Sequence, residues 1–122
     1  MPRILIIDNS QIIRDMLGEY LDDLGYEVDM AVHGQEGIEK GLANDYDVVF
    51  CDTHMPKRNG LQVYLAVSEK KPNLPFIMTD SLPDDLSEEA LNRGAVACLL
   101  KPFNLDLLKT TLESLFKETR TK

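Results

Sequence analysis

The run Val48-Val49-Phe50-Cys51-Asp52 changes character in one step, from four apolar residues to a carboxylate. An uninterrupted apolar run of this length reads as a strand covered on both faces. Such strands belong to parallel sheets, whose crossover connections lie over the faces and shield them from water. Asp52 then stands at the carboxyl end of a core strand, where open α/β sheets place their ligand crevice. An acidic group held there can bind a metal or attack phosphorus. Equally, a strand-end Asp can simply cap the next helix. Met55-Pro56 and Asn59-Gly60 follow as a shaped loop, Pro limiting backbone freedom and Asn-Gly tolerating turn conformations.

The same alternation of short apolar runs and helix-period segments covers the whole chain. Ile4 to Ile7 form the first run, ending at Asp8-Asn9. Ile12, Ile13, Met16, Leu17, Tyr20, Leu21 and Leu24 then recur at helical spacing, with Ser10 placed to cap the helix and Gly25 to end it. A second strand is predicted over Glu27–Val32, and a short helix over Gln35–Ala43, opened by Gly34. Leu61, Val63, Leu65, Ala66 and Val67 favour a helix that stops before Lys71-Pro72. Phe76-Ile77-Met78 is a fourth strand ending in Thr79, Asp84–Arg93 a helix ended by Gly94, and Val96–Leu100 a fifth strand followed by Lys101-Pro102. Leu105, Leu108, Leu112, Leu115 and Phe116 stripe the last helix.

Five strands alternating with five helices predict an α/β fold, a single doubly wound five-stranded parallel sheet with helices on both faces. The first strand is as apolar as the third and fifth, so it belongs in the sheet interior. The simplest arrangement is the flavodoxin-like order 2-1-3-4-5. A length of 122 residues suits one domain, spanning 1–122.

Composition narrows the partners more than the chemistry. With 43% hydrophobic and 28% charged residues the chain is an ordinary globular one. No apolar stretch approaches the roughly 20 residues that span a bilayer, and the N-terminal run is too short for a signal-peptide core. A cytoplasmic location is the expectation. A net charge of −8 disfavours direct contact with nucleic acid phosphates or anionic membranes. Cys51 and Cys98 both read as small buried hydrophobes, without the spacing of a metal site or a disulfide framework.

In the predicted sheet Asp8-Asn9, Asp52, Thr79 and Lys101 end strands one, three, four and five on one rim. Each has an ordinary role when taken alone: Asp8 a helix cap, Thr79 a β-branched strand residue, Lys101 a surface cation. Together they describe a phosphoryl site. Two neighbouring carboxylates raise each other's pKa unless a cation intervenes, and oxygen-only ligands with room for water suit Mg²⁺. Lys101 supplies a mobile point charge for a phosphoryl oxygen, Thr79 a hydroxyl donor, and Asp52 a nucleophile able to form an acyl phosphate.

With these residues in place the chain resembles a response-regulator receiver domain of bacterial two-component signalling, from Ile4 to about Phe116. The matching motifs are Ile4-Leu5-Ile6-Ile7-Asp8, Gly25-Tyr26-Glu27-Val28, Tyr46-Asp47, Asp52-Thr53-His54-Met55-Pro56, Asn59-Gly60, Gly94-Ala95 and Lys101-Pro102-Phe103. The resemblance implies that Asp52 is the phosphoacceptor, charged by a histidine of a sensor kinase or a histidine phosphotransfer protein. It implies that Lys101 contacts the phosphoryl group, that Thr79 closes onto it as the switch, and that the bond before Pro102 is cis. It assigns Mg²⁺ to Asp8, Asn9, Asp52 and the backbone carbonyl of His54. The domain would catalyse its own phosphorylation and dephosphorylation without being a turnover enzyme, and phosphorylation would change its affinity for an output partner. Thr119 to Lys122 follow the last helix closely, which suits a stand-alone receiver or a piece of a larger regulator.

Three positions depart from that family pattern. Asn9 stands where most receivers have a second acidic residue, which lowers the charge available to a metal. Asp80 follows Thr79 where Ala or Gly is usual, and its carboxylate would either repel a phosphoryl group or help hold a cation. Cys98 replaces the aromatic residue that accompanies the switch. These departures motivate an alternative, a receiver-like interaction module that does not cycle through phosphorylation. A dehalogenase-type phosphatase would need an Asp at position 54, occupied here by His54, and FMN binding would need a Ser/Thr-rich loop after the first strand, which is absent.

Overall fold

The computed structural model describes residues 1–120, with side chains as far as 117. Thr121 and Lys122, which the predicted domain boundary includes, lie outside the described residues. The elements are β1 (Arg3–Ile7), α1 (Gln11–Asp23), β2 (Glu27–Ala31), α2 (Gly34–Ala43), β3 (Val48–Asp52), α3 (Gly60–Lys70), β4 (Phe76–Asp80), α4 (Asp85–Asn92), β5 (Ala97–Leu100) and α5 (Leu105–Arg120). All five strands run parallel in the order β2-β1-β3-β4-β5, as the alternation predicted.

Side chains alternate across each strand, so the sheet carries two separate cores. On one face Ile4, Ile6, Val48, Phe50 and Ile77 pack against Leu17 and Leu21 of α1 and Leu108, Leu112 and Phe116 of α5. On the other, Leu5, Ile7, Val49, Cys51, Phe76 and Met78 meet Val63, Tyr64 and Val67 of α3 and Ala90 of α4. Each large side chain taken fully out of water contributes about 1.5–3 kcal/mol before entropy is counted. β3 and β4 are buried at every residue, which is why their sequences lack polar alternation.

Several boundaries differ from expectation for identifiable reasons. β2 stops at Ala31, one residue early, because the Val32 amide donates to the Glu36 carboxylate (2.7 Å). β4 runs one residue past Thr79, since Asp80 pairs with Leu100 and its carbonyl accepts the Lys101 amide (2.9 Å). β5 begins at Ala97, and as an edge strand it leaves Cys98 only half-buried. In the loop after β3 the left-handed residue is Lys57 (φ 71°). Asn59 is extended and caps α3: its Oδ1 accepts the Gln62 amide, and the Gln62 side chain accepts the Asn59 amide, both at 2.9 Å.

That cap seats Gly60 directly beneath the end of β3. A Cβ at Gly60 would press on the Asp52 carbonyl and come within 2.7 Å of the Thr53 Cα, main-chain atoms that cannot swing aside. At Gly18, within α1, the obstacle is the terminal methyl of Met30, the far end of a flexible side chain. Gly60→Ala should therefore cost about 1–3 kcal/mol by overpacking. Gly18→Ala should be neutral or gain up to about 1 kcal/mol from helix propensity. Urea unfolding of the two variants checks the contrast, and equal losses would contradict it.

Candidate functional site

The parallel register brings the ends of four strands to one rim: Ile7 pairs with Cys51, Asp52 with Thr79, and Asp80 with Leu100. Asp8 and Lys101, each one residue past a strand, complete the cluster. The Lys101 Nζ lies 2.8 Å from Asp8 Oδ2 and 3.3 Å from Asp52 Oδ2, so one ammonium bridges two carboxylates separated widely in sequence.

The capping alternatives raised for the two aspartates are answered by the neighbouring residues. Ser10 caps α1, its Oγ accepting the Ile13 amide at 3.4 Å, which leaves Asp8 free of that duty. The second oxygen of Asp8 accepts the Ser10 amide (2.8 Å), and Arg14 donates to the Asp8 carbonyl (2.7 Å). Asn59 caps α3, so Asp52 is not its cap either. Both carboxylates are held by packing at the rim, Asp8 being 2% and Asp52 7% exposed.

Burial, and then the charge of Asp8, push the Asp52 carboxyl above its usual range; Lys101 and the His54 amide pull against this without cancelling it. Burial works to lower the Lys101 pKa, yet its hydrogen bond to Asp8 and the charge of Asp52 leave it above the ordinary lysine value. The ammonium therefore stays charged. Burial pushes the Cys51 thiol well up, with Asp52 and Asp8 adding to it, and Cys98 is raised as well. Neither cysteine offers a thiolate nucleophile at neutral pH.

Thr79 is buried beside Asp52, and its carbonyl accepts both the amide (2.9 Å) and the hydroxyl (3.0 Å) of Thr53. Asn9 is exposed on the rim. The Lys101-Pro102 peptide bond is cis. Asp8 and Asp52, two carboxylates against one ammonium, could hold a cation, and with the His54 carbonyl that the resemblance adds they would supply an oxygen-only set whose chemistry fits Mg²⁺ with water in its remaining positions. Asn9 can add a neutral oxygen but no charge.

The His54 side chain is engaged elsewhere. Its Nε2 lies 2.8 Å from Asp84 Oδ2 and 3.8 Å from Asp80 Oδ2. The sequence singles out Asp80 but carries no sign that Asp84 is its neighbour, because the two are brought beside His54 only by the β4–α4 turn.

Two consequences of this electrostatic arrangement are measurable. Because the folded pKa of Asp52 is raised, its protonated form favours the fold: that stability is present below the ordinary carboxylate pKa and is lost as pH rises through the folded value. Asp52→Asn, in chelator-containing buffer, should thus raise the melting temperature at neutral pH, with the advantage shrinking as pH falls through the carboxylate range. Lys101→Met leaves two buried carboxylates uncompensated. It should cost about 3 kcal/mol in urea unfolding at neutral pH, as breaking a buried pair does. A second change, Asp8→Asn, should restore part of that loss, and a strictly additive double variant would contradict the coupling.

Comparison with known proteins agrees with this geometry. Residues 4–113 match the family described as the response regulator receiver domain. Over 113 residues the chain is 34% identical to the sensor protein EvgS of Escherichia coli K12, covering 92% of this chain and 9% of that protein. It is 35% identical to the transcriptional regulatory protein PdtaR of Mycobacterium tuberculosis over 91% of this chain and 55% of that one. The chain thus spans from about a tenth to about half the length of these relatives. Among solved structures, the Thermotoga maritima response regulator TrrA in complex with Mg²⁺-BeF superposes with a TM-score of 0.84 at 36% identity, over 94% of this chain and 99% of that one. A CheY-like receiver domain from Methanospirillum hungatei gives 0.90 at 28% identity, covering 100% and 99%. Fold, rim geometry and sequence agree, and the chain belongs to the response regulator receiver domain family of two-component signalling.

Proposed function

We propose that Asp52 is the phosphoacceptor of this receiver domain, which takes residues 1–122 as its extent, and that it is charged from a phosphohistidine of a sensor kinase or histidine phosphotransfer protein. The observation that supports this most directly is the single ammonium of Lys101 shared between Asp8 and Asp52. An Asp52 oxygen attacks phosphorus as the N–P bond of the donor breaks; the imidazole leaves with the electron pair and takes up a proton, and an acyl phosphate remains. Lys101 keeps Asp52 ionised for the attack and then pairs with a phosphoryl oxygen. The Thr79 hydroxyl, one strand away in register, donates to another. Water later attacks the same phosphorus and returns the carboxylate, so the domain acts on itself without turning over a separate substrate.

Asp8, Asp52, the His54 carbonyl and the amide oxygen of Asn9 would hold Mg²⁺, which when bound would supply positive charge beside the phosphoryl oxygens. With Asn9 neutral, the ion would be held by one charge fewer than in a receiver with two acidic residues at this point, and its affinity would be correspondingly weaker.

Closure of Thr79 onto the phosphoryl group shifts the balance between two arrangements of the surface beside β4 and β5. Val96, Leu100 and Leu107 are exposed there, and this apolar surface suits an output partner. Cys98, a small side chain where the family's aromatic would stand, borders a cleft of about 420 Å³ with Leu99, Leu100, Pro102, Asn104 and Leu107. Movement of Thr79 is therefore transmitted by backbone and small side chains instead of a rotating ring. No helix among the described residues is long and apolar enough to cross a membrane, and a cytoplasmic location accords with a kinase donor.

Incubation with acetyl phosphate and Mg²⁺, followed by rapid intact-mass measurement, should show a gain of one phosphoryl group, absent from Asp52→Ala and from samples with chelator. An unchanged mass in the folded wild-type chain would overturn the phosphoacceptor role and leave a non-cycling interaction module.

A further inference from the structure

Asp80 is the most unusual polar residue outside the phosphorylation centre. It is 3% exposed, and its Oδ2 is a buried side-chain oxygen with no hydrogen-bond partner among the described residues. Its other oxygen accepts the Leu82 amide at 3.2 Å, which fixes the carboxylate and aims Oδ2 outward toward His54. A buried anionic oxygen without a donor is costly, and such atoms call for an explanation such as an ion.

Two further ligand atoms face it. His54 Nε2 lies 3.8 Å away, and Asp84 Oδ2 lies 2.8 Å from the same nitrogen. The three atoms, one from each residue, all lie within 4.8 Å of one another. His54 and Asp84 are about half exposed, so the cluster opens to solvent on one side while Asp80 closes it on the other. Ligand atoms around a four-coordinate ion with bonds of about 2.0–2.2 Å stand about 3.5 Å apart. Small side-chain rotations of the two exposed groups reach that spacing.

We propose that His54, Asp80 and Asp84 form a second metal site, selective for a transition-metal dication of the zinc class and separate from the oxygen-only Mg²⁺ set. One imidazole nitrogen with two carboxylate oxygens matches the donor preference of Zn²⁺, whereas Mg²⁺ prefers all-oxygen shells and keeps its water. Two carboxylates balance the ion's charge, and water completes its coordination. His54 coordinates as the neutral imidazole, with Nε2 offering its lone pair to the ion and the ring proton carried on Nδ1.

The position of the site gives it a consequence. His54 lies two residues after Asp52, Asp80 directly follows Thr79, and Asp84 is the N-cap of α4. A bound ion would clamp the β3–α3 loop to the β4–α4 turn and restrain the segment that must move when Thr79 closes. That regulatory effect rests on the phosphoacceptor reading; the metal site itself does not.

The test is calorimetric titration of the tag-free full chain with Zn²⁺ in saturating Mg²⁺. One equivalent should bind, with affinity falling at least tenfold in His54→Ala, in Asp80→Asn and in Asp84→Asn. Asn remains a good helix cap, so the last variant preserves α4, and circular dichroism of each metal-free variant verifies folding. His33→Ala, at the other histidine, and Asp8→Asn, in the Mg²⁺ set, should bind as wild type. Zn²⁺ binding that is absent, indifferent to His54 and Asp84, or abolished by Asp8→Asn would overturn the proposal. If Zn²⁺ binds as described while acetyl phosphate leaves the mass unchanged, the metal site stands and the phosphoacceptor reading falls. With both intact, Zn²⁺ should slow phosphorylation of wild type and leave His54→Ala unaffected.

Discussion

One ammonium shared by two buried carboxylates is the interaction on which this molecule's chemistry depends. Unit charges about 4 Å apart interact by about 4 kcal/mol at the effective dielectric of a protein rim. Asp8 and Asp52 without Lys101 would therefore oppose the fold that assembles them. With Lys101 present the rim tolerates both, and Asp52 keeps a raised pKa that reflects its burial first and the charge of Asp8 second. The cluster is thus held together but left with an excess of negative charge. That excess is what the proposed uptake of a cation, and with it of an anionic phosphoryl group, would offset.

Everything around the cluster serves to keep it in place. The two cores fix β1, β3 and β4 on both faces, so their ends cannot slip relative to each other without exposing a full layer of aliphatic side chains. Helix caps are supplied by Ser10 and Asn59, so neither Asp8 nor Asp52 serves as the N-cap of the helix that follows it. Gly60 permits the turn after β3 to fold back beneath Asp52. The fully buried strands β3 and β4 therefore carry the rim at its centre, while the edge strand β5 and the β4–α4 turn are more shallowly buried.

Much of this was legible in the residues themselves. Apolar runs ending in Asp52 and Asp8 identified core strands, and the equal apolarity of the first strand placed it inside the sheet. The strand order follows from that placement. Boundaries were less legible where a side chain competes for a backbone group, as Glu36 does at Val32. Cys98 has apolar neighbours in sequence, yet it sits on the edge strand and is only half-buried. His54 was read through its backbone carbonyl alone. Its side chain faces Asp80 and Asp84 across a turn, a contact with no periodic signature.

Sequence by itself determined the class of fold and which residues could do chemistry, because hydrophobic period and strand length are local properties that survive without neighbours. Tertiary structure decided how those residues meet: that one lysine bridges two aspartates, that Ser10 and Asn59 take the capping roles, and that Asp80 points at His54 an oxygen with no hydrogen-bond partner among the described residues. Those outcomes depend on ångström-scale distances between segments far apart in the chain. Electrostatic and hydrogen-bond energies vary steeply over such distances, so they are set only once the sheet has closed.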